Sequence, residues 1–421
     1  MSAKREIKGF WWFPEQPETR WFGTLTLASE DGPKLEVFVE GGELFGKVRA
    51  PSGVIHGKDE RGISITLLFV MPPMSSFSGA LMKMNFHAGY ALLGIAVTDA
   101  ASFIAHELRL EVQHLYGWLG LSGFVRGGPE AQEEFVVRYR QPDEIRFQIT
   151  PELEVGLGMS FEMRNGAKDK SLKEEAWAIF RSPQGFPLQR CFELVNAVRL
   201  LLHLAVLRRV YPVVIETRKQ GHGYQLGDQW INQDIEVYAS VLREHTDQDP
   251  IGGRWTFRFG DIRDNLAAFF RDWLDYVAKY DEALGCYSAT IYHSLPSELD
   301  HLSLIQALDA YHGVKFQSHR DRGGIRPKIE QLAGTHAVSL RGLVDDIPAF
   351  AKEVQATRNY YTHHNPEVQK TGKVAEKTDL IRLNEKLTLL FQMCVLADMG
   401  IPADRFPDLR RQLATEIIHY A

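Results

Sequence analysis

The sequence predicts an α+β protein in which a β-rich N-terminal domain is followed by a C-terminal all-α helical bundle. Three observations lead to this prediction. Short runs that alternate between apolar and polar residues fill the first half, helical periodicity dominates the second half, and the composition is globular. With 44% hydrophobic and 24% charged residues, the chain is not disordered, collagen-like or a coiled coil. Its length of 421 residues allows two or three domains. We predict two, over residues 1–249 and 250–421.

The alternating runs of the N-terminal half are bounded by Gly and Pro clusters such as Gly41-Gly42 and Pro72-Pro73. Runs of this kind predict an antiparallel sheet, a sandwich or a barrel-like domain. Within this half, apolar residues at helical spacing over Cys191–Val210 predict one buried helix of about five turns. The predicted strands are Thr24–Ala28, Lys34–Glu40, Gly62–Leu67, Glu134–Arg140, Val213–Thr217 and Glu236–Leu242.

Beyond Pro250 the helical spacing of aromatic and aliphatic residues continues, and Gly313, Gly323-Gly324 and Gly400 mark stops. This pattern predicts a bundle of five or six helices. The predicted helices are Asp261–Lys279, Leu302–Tyr311, Ile325–Ala333, Ala349–His363, Val374–Met399 and Phe406–Tyr420.

The cysteines and the apolar segments indicate a cytoplasmic protein. Cys191, Cys286 and Cys394 are too widely separated for a disulfide framework or a zinc-site spacing. No apolar run approaches the roughly 20 residues that cross a bilayer, and the first residues lack the apolar stretch of a secretion signal. We therefore expect a reducing environment and no membrane association.

The net charge of −6 excludes a broad basic surface for nucleic acid. Residues 1–249 carry 27 basic and 32 acidic residues, which gives −5, and the remainder carries 21 and 22, which gives −1. Any contact with nucleic acid must therefore be local.

One constellation near the end of a predicted helix could carry chemistry. Arg358 is followed directly by Asn359 and, after four intervening residues, by His363 and His364, and Asn365-Pro366 then stops the helix. The negative end of a helix dipole favours an imidazolium. Histidine can transfer a proton and arginine can hold a phosphate, which is the chemistry of phosphodiester cleavage. RNA supplies its own 2′-hydroxyl nucleophile, so this scheme requires neither metal nor cofactor.

The spacing alone is weak, because Arg49/His56 and Arg109/His114 also have four to six residues between the arginine and the histidine. Only Arg358/His363 combines it with Asn359, a helical bundle and a helix stop. An ordinary helix end with capping histidines remains the alternative. His106-Glu107 with His114 has the wrong spacing for two zinc ligands on one helical face, and we interpret these as surface histidines.

Several segments resemble a known family. The run Arg358–His363 resembles the Arg-x(4–6)-His signature of HEPN ribonucleases. Phe269–Trp273 and Leu304–His312 are similar to early helices of the HEPN domain in the ApeA antiphage family. Ile7–Trp12 and Trp21–Leu25 are similar to the N-terminal domain of that family. The resemblance covers nearly the whole chain.

The resemblance implies an abortive-infection protein, in which a β-rich sensing domain responds to a phage-derived trigger and restrains a toxic HEPN endoribonuclease. It implies a homodimer and metal-independent cleavage of RNA, with transfer RNA as one candidate substrate. Arg358 and His363 would be catalytic and Asn359 would position them. Asp309 stands where related domains have glutamate, and His364 is a second supporting candidate. The alternative is a non-catalytic HEPN module for RNA or nucleotide binding or for dimerisation.

Two further segments are candidates for binding. A basic run between two predicted helices could hold RNA phosphates near the motif, or could be a solvated turn. Its cations are Lys315, Arg320, Arg322, Arg326 and Lys328. The aromatic opening, Phe10–Phe13 with Trp21-Phe22, is expected to belong mainly to the core; any exposed members would be candidates for trigger recognition.

Overall fold

The computed structural model describes residues 5–28, 32–40, 53–78, 81–126, 137–165, 170–242, 255–317, 324–363 and 374–406. The chain divides into two compact units, and each is described by itself. The first comprises residues 1–199 and 210–251, and the second comprises residues 200–209 and 252–421.

The first unit is built on one large antiparallel sheet. Fourteen strands of the described chain form it in the order β12-β13-β14-β9-β15-β16-β8-β5-β4-β1-β2-β3-β7-β6, and β10 pairs with β11 separately. A short helix, α1 (Leu115–Leu119), follows β9, and a long helix, α2 (Leu188–Val206), follows β14. The residues of α2 from Leu200 onward belong to the second unit. The strands are β1 (Arg5–Trp12), β2 (Trp21–Ala28), β3 (Gly32–Glu40), β4 (Val54–Asp59), β5 (Ser64–Leu68), β6 (Met74–Ser78), β7 (Leu81–His87), β8 (Tyr90–Leu93), β9 (Ile104–Val112), β10 (Phe124–Arg126), β11 (Val137–Tyr139), β12 (Ile145–Thr150), β13 (Leu153–Asn165), β14 (Lys170–Pro187), β15 (Pro212–Leu226) and β16 (Gln229–Ala239).

One face of the N-terminal strands forms a core around Trp11. Strand alternation sends every second residue to this face, as the buried and exposed positions of β2 show. Gly23 and Gly57 lie beside the indole, and a Cβ at Gly57 would collide with the ring. These glycines therefore make room for a fully buried tryptophan, whose Nε1 donates to the Gly23 carbonyl at 3.3 Å. The core also contains Phe13, Trp21, Leu25, Leu27, Val37, Ile55, Leu67, Met84 and Phe86.

A row of alternating charges crosses five neighbouring strands at the other end of the sheet. Glu154, Arg181, Glu107, Arg218 and Asp234 occupy successive cross-strand positions from β13 to β16. Arg181 donates to Glu107 at 2.8 Å and to Glu154 at 3.1 Å, and Arg218 donates to Glu107 at 3.0 Å. Opposite charges in directly paired positions favour this register over its alternatives.

The second unit is helical. Its helices are α3 (Phe259–Ile262), α4 (Leu266–Lys279), α5 (Asp281–Tyr292), α6 (Ser297–Phe316), α7 (Ile325–Thr335), α8 (Ala337–Leu340), α9 (Ile347–His363) and α10 (Thr378–Asp398), with 3₁₀ turns at Arg263–Asn265 and Ala403–Arg405. The long helix α6 packs against α5, α7, α9 and α10, and α7 packs against α9. Within the described residues, no helix is both long enough and apolar enough to cross a membrane.

A buried hydrogen-bond network joins segments of this unit that are distant in sequence. His203 Nδ1 lies 2.7 Å from the Arg208 carbonyl, so it carries the proton, and Nε2 accepts from the Tyr287 hydroxyl at 2.9 Å. Gln392 Nε2 donates to the same hydroxyl oxygen at 2.7 Å. Such a network fixes one packing arrangement, because a lost partner would leave a buried polar atom unpaired.

The predicted α+β class is confirmed, with an antiparallel sheet before the helical region. The helix α5 was not predicted, and a 3₁₀ turn interrupts the predicted helix Asp261–Lys279 before Leu266. The predicted helix Phe406–Tyr420 lies, beyond its first residue, outside the described residues, as do the first three residues of the predicted strand Glu134–Arg140. The domain boundary after residue 249 stays a prediction.

Candidate active site

The helix α9 carries the candidate catalytic residues on its last two turns. Phe350, Ala351, Val354 and Thr357 recur at intervals of three or four residues and are buried. This apolar stripe holds the helix against the bundle. On the remaining surface Arg358 and Asn359 are half-buried, and His363 is exposed.

Helix geometry sets the relative directions of the three candidate side chains. At about 100° per residue, His363 points about 40° from Asn359 and about 140° from Arg358. Asn359 therefore lies between the other two around the helix. Arg358 Nη1 donates to Asn359 Oδ1 at 3.2 Å, which turns the guanidinium toward the side of the helix that carries His363. The arrangement combines a fixed cation with an accessible imidazole, as anion binding and proton transfer require.

The chain at Ala375, beyond the motif, is hydrogen-bonded to α9. The backbone N–H of Ala375 donates to Thr357 Oγ1 at 3.0 Å, and the Tyr361 hydroxyl donates to the Ala375 carbonyl at 3.3 Å. Burial raises the pKa of Tyr361, and Glu298 and Glu376 raise it further, so this hydroxyl keeps its proton at neutral pH. Thr357 and Tyr361 lie one helical turn apart, on either side of Arg358 and Asn359 in the sequence. Both are hydrogen-bonded to Ala375, so the returning chain is bound to this turn of α9.

A buried histidine supports α9 from behind. His301 on α6 is fully buried, and its Nδ1 donates to Asn384 Oδ1 on α10 at 2.9 Å. Asn384 Nδ2 in turn donates to the Ser297 carbonyl at 2.9 Å. The ring lies beside the backbone of Val354, one turn before Arg358, and burial lowers the pKa of His301 to about 4. The neutral imidazole of His301 therefore links α6, α9 and α10 around the motif. No pattern in the sequence indicated this role for His301.

Comparison with protein families identifies the chain. The model described as ApeA N-terminal domain 1 matches residues 6–273, more than half of the chain, and the model described as Apea-like HEPN matches residues 302–405. This is an ApeA-type protein with a C-terminal HEPN domain. The family predicted from sequence is thereby confirmed, and the match to the HEPN model includes Arg358, Asn359 and His363. An Apea-like HEPN domain indicates an RNase-type function in antiphage defence. Comparisons with curated proteins and with solved structures gave no match.

Asp309 does not pair with the motif of the HEPN domain. Its carboxylate accepts from Lys328 Nζ at 2.6 Å, and its side chain is half-exposed on α6. Within the described residues, Asp309 makes no contact with Arg358 or His363, so the structure does not support the role that the sequence suggested for it. The second supporting candidate, His364, lies outside those residues.

The three described cations of the basic segment are all paired with carboxylates. Lys315 Nζ donates to Asp398 at 2.6 Å and Arg326 Nε donates to Glu330 at 2.8 Å, while Lys328 contacts Asp309. These pairs reduce the positive charge that the segment offers to a phosphate. Arg320 and Arg322 lie outside the described residues.

The segment also extends along the HEPN domain rather than lying wholly at the motif. Glu298, at the start of α6, lies near Tyr361, whereas Lys315 is 17 residues further along α6, or about 25 Å. By contrast, the start of α7 lies close to α9. Gly324 directly precedes α7, and a Cβ added to it would be 3.7 Å from Nε2 of Gln355 on α9. Of the described candidates, Arg326 and Lys328 at the start of α7 are therefore better placed for a phosphate near the motif than Lys315.

The described residues contain no group of three or more His, Cys, Asp or Glu side chains arranged to hold a metal ion. The chemistry available at the end of α9 is that of Arg358, Asn359 and His363. These side chains can bind an anion and transfer a proton.

Proposed function

We propose that this ApeA-type protein is an antiphage endoribonuclease whose HEPN domain cleaves RNA with Arg358 and His363 as the catalytic pair. The observation that carries the proposal is the end of α9, where Asn359 holds the Arg358 guanidinium at 3.2 Å and His363 is exposed one turn further on. Both residues lie within the match to the Apea-like HEPN model.

In the proposed reaction the 2′-oxygen of RNA attacks the adjacent phosphorus. His363 accepts the proton from the 2′-hydroxyl, and the bond from phosphorus to the 5′-oxygen breaks. The leaving 5′-oxygen takes up a proton from water, so the products are a 2′,3′-cyclic phosphate and a 5′-hydroxyl. Arg358 binds a non-bridging oxygen and stabilises the charge that develops there. Since the guanidinium supplies this charge, the proposal includes no metal ion or cofactor.

We further propose that two copies of the chain combine their motifs. Arg358 and His363 leave α9 in directions about 140° apart, and the hydrogen bond to Asn359 brings the guanidinium only part of the way toward His363. A phosphate held by the guanidinium of one helix is therefore reached more directly by the histidine of a second helix that faces it. A homodimer through the HEPN domain would bring two such helices together. Asn359 would then hold each guanidinium toward the shared cleft.

The biological setting belongs to the same proposal. An unrestrained ribonuclease would kill the cell that makes it, so we propose that a phage-derived trigger releases the enzyme in the cytoplasm and that cleavage halts growth. Transfer RNA is the substrate to examine first, on the strength of the family alone.

The test is a cleavage assay on total cellular RNA in EDTA, with lysate from phage-infected cells added as a source of trigger. We expect the parent to produce discrete fragments with 5′-hydroxyl ends, and Arg358→Ala and His363→Ala to produce none. Arg382→Ala and His293→Ala are matched controls, because both residues are exposed in the same unit, Arg382 on α10 and His293 directly after the end of α5. Equal cleavage by the parent and both motif variants would refute the assignment. Retained RNA binding without cleavage by the parent would support a non-catalytic HEPN module.

A further inference from the structure

Three phenylalanines form a row across the exposed face of the N-terminal sheet. Phe10 on β1 lies directly opposite Phe22 on β2, and their rings meet edge to face at 5.7 Å. The β2–β3 register pairs Gly23 with Val37, which places Phe38 opposite Phe22 at the next position. The three side chains are 53%, 52% and 48% exposed. Three large apolar rings side by side and half-open to solvent mark a binding surface.

The row does not belong to the core. Strand alternation buries the neighbouring Trp11, Phe13 and Trp21 on the opposite face and turns Phe10 and Phe22 outward. The aromatic opening of the sequence therefore divides in two. Trp11, Phe13 and Trp21 belong to the core, as expected for most of this segment. Phe10 and Phe22 are the exposed members, which the sequence alone could not distinguish from the buried ones.

Cations surround the phenylalanine row. Lys58 on β4 is paired with Phe10, and Lys83 on β7 is paired with Phe38, so a lysine stands at each end. Lys8 and Arg20 lie on the same face beside the row, and both are exposed. Arg20 also packs over the ring of Trp12, with its Cζ 4.8 Å from the ring centroid. Glu36 on β3 is an acid on the same face, and it pairs with Lys83.

We infer that this face binds single-stranded nucleic acid. Unpaired bases stack on exposed aromatic rings, and lysines and arginines beside the rings contact the phosphates that connect the bases. Neighbouring strands are about 4.8 Å apart, so the three rings can accept consecutive bases of a strand that runs across the sheet, from Lys58 to Lys83. A duplex would not fit this chemistry, because its bases are stacked on each other and closed to the rings. A purely apolar partner would supply no anionic group to the cations around the row, whereas the phosphates of a nucleic acid would.

This inference is independent of the proposed ribonuclease site, because it concerns the unit that does not contain α9. The surface recognises a nucleobase and a phosphate together, and this chemistry is shared by single-stranded RNA and single-stranded DNA. Either would provide the sensing unit with a nucleic-acid ligand. The experiment below distinguishes the two sources.

The experiment measures binding of the full chain by fluorescence anisotropy with three labelled probes: a 12-nucleotide deoxythymidine strand, a 12-nucleotide 2′-O-methyl uridine strand and a 12-base-pair DNA duplex. Neither single-stranded probe has a free 2′-hydroxyl, so neither can be cleaved. We expect at least one single strand to bind more tightly than the duplex, and the preferred strand identifies the source. Phe22→Thr should weaken that binding roughly 5- to 150-fold, the range for loss of one stacked base. Lys58→Ala should make the affinity less sensitive to salt.

Matched variants separate loss of the surface from loss of the fold. Phe22→Tyr preserves an aromatic ring and should restore binding, and Tyr224→Thr replaces an equally exposed aromatic on β15 and should leave it unchanged. Thermal unfolding of each variant should match that of the parent. Three outcomes would overturn the inference: no binding of either single strand, equal binding of the duplex, or unchanged affinity in Phe22→Thr. The last would assign any binding to another surface and leave the phenylalanine row to a protein partner. RNA cleavage, measured on the same variants, reports separately on the proposed function.

Discussion

The backbone N–H of Ala375 donates a hydrogen bond to the Thr357 hydroxyl, which lies immediately before Arg358 and is completely buried. The contact therefore joins the chain that returns from the motif to the helix that carries it. Thr357→Val keeps the shape of the side chain but leaves the buried N–H unpaired, at a cost of about 1–3 kcal/mol. We expect this variant to lose RNA cleavage while Arg358 and His363 are both intact.

Two readouts check this prediction: cleavage rate and the free energy of unfolding in urea. Thr357→Ser retains the hydroxyl and should cleave at nearly the parental rate even though it loses a methyl group. A Thr357→Val protein that cleaves as fast as the parent would show that the hydrogen bond between Ala375 and Thr357 does not position the motif.

The proposed shared cleft predicts complementation between two inactive variants. Arg358→Ala and His363→Ala should each be inactive alone, but a mixed dimer retains one cleft with an intact arginine from one chain and an intact histidine from the other. Random mixing yields half mixed dimers, so we expect about a quarter of the parental rate. Subunits are mixed under conditions that permit exchange, and cleavage is compared with that of each variant alone.

A mixture that stays inactive, although differently tagged subunits co-purify, would place both catalytic residues on one chain. Sedimentation analysis of the parent, which we expect to be a dimer, serves as the control. A monomer that cleaves RNA would rule out the shared cleft.

Local patterns in the sequence were sufficient for the class of fold and for most of the helices. The stripe Phe350, Val354 and Thr357 is visible as helical periodicity, so α9 and the position of Arg358 near its end were predictable. The helix α5 was missed, because its central residues, Leu284 to Ala289, include Gly285 and Ser288 and do not form a clear apolar stripe.

The contacts that depend on distant pairing could not be predicted. Glu107 meets Arg181 and Arg218, which are 74 and 111 residues away, and only the strand order brings them together. The pairing of Asp309 with Lys328 likewise depends on how α6 packs on α7. Alternation could show that Phe10 and Trp11 face opposite sides of a strand, but not which side would be buried.

The buried His301 makes stability depend on pH. Burial lowers its pKa in the folded protein to about 4 from about 6.5 in the unfolded chain, so the unfolded state binds more protons between these values. The stability that a neutral His301 provides is complete above pH 6.5 and is lost as the pH falls toward 4, by up to about 3 kcal/mol. Urea unfolding at pH 7 and pH 5 should show this loss in the parent.

His301→Gln cannot be protonated, and its amide can still donate to Asn384. We expect it to be less stable than the parent at pH 7 but to lose less stability between pH 7 and pH 5. An identical loss in both proteins would assign the acid sensitivity to other groups.

Glu111 on β9 should have the opposite pH dependence. Burial, together with the nearby Glu175, raises the pKa of its carboxyl to about 7, whereas the unfolded value is about 4.5. The folded chain thus binds more protons than the unfolded chain between pH 4.5 and pH 7, and stability falls as the pH rises through this range. Glu111→Gln removes the ionisable group, so we expect the variant to exceed the parent in stability by about 1–2 kcal/mol at pH 8 and to match it near pH 5. Glu36→Gln, at a more exposed position of the same sheet where the carboxylate pairs with Lys83, is the control and should show no such crossover. A variant that is less stable than the parent at both pH values would mean that the ionised carboxylate is stabilised by its neighbours, Lys173 in particular.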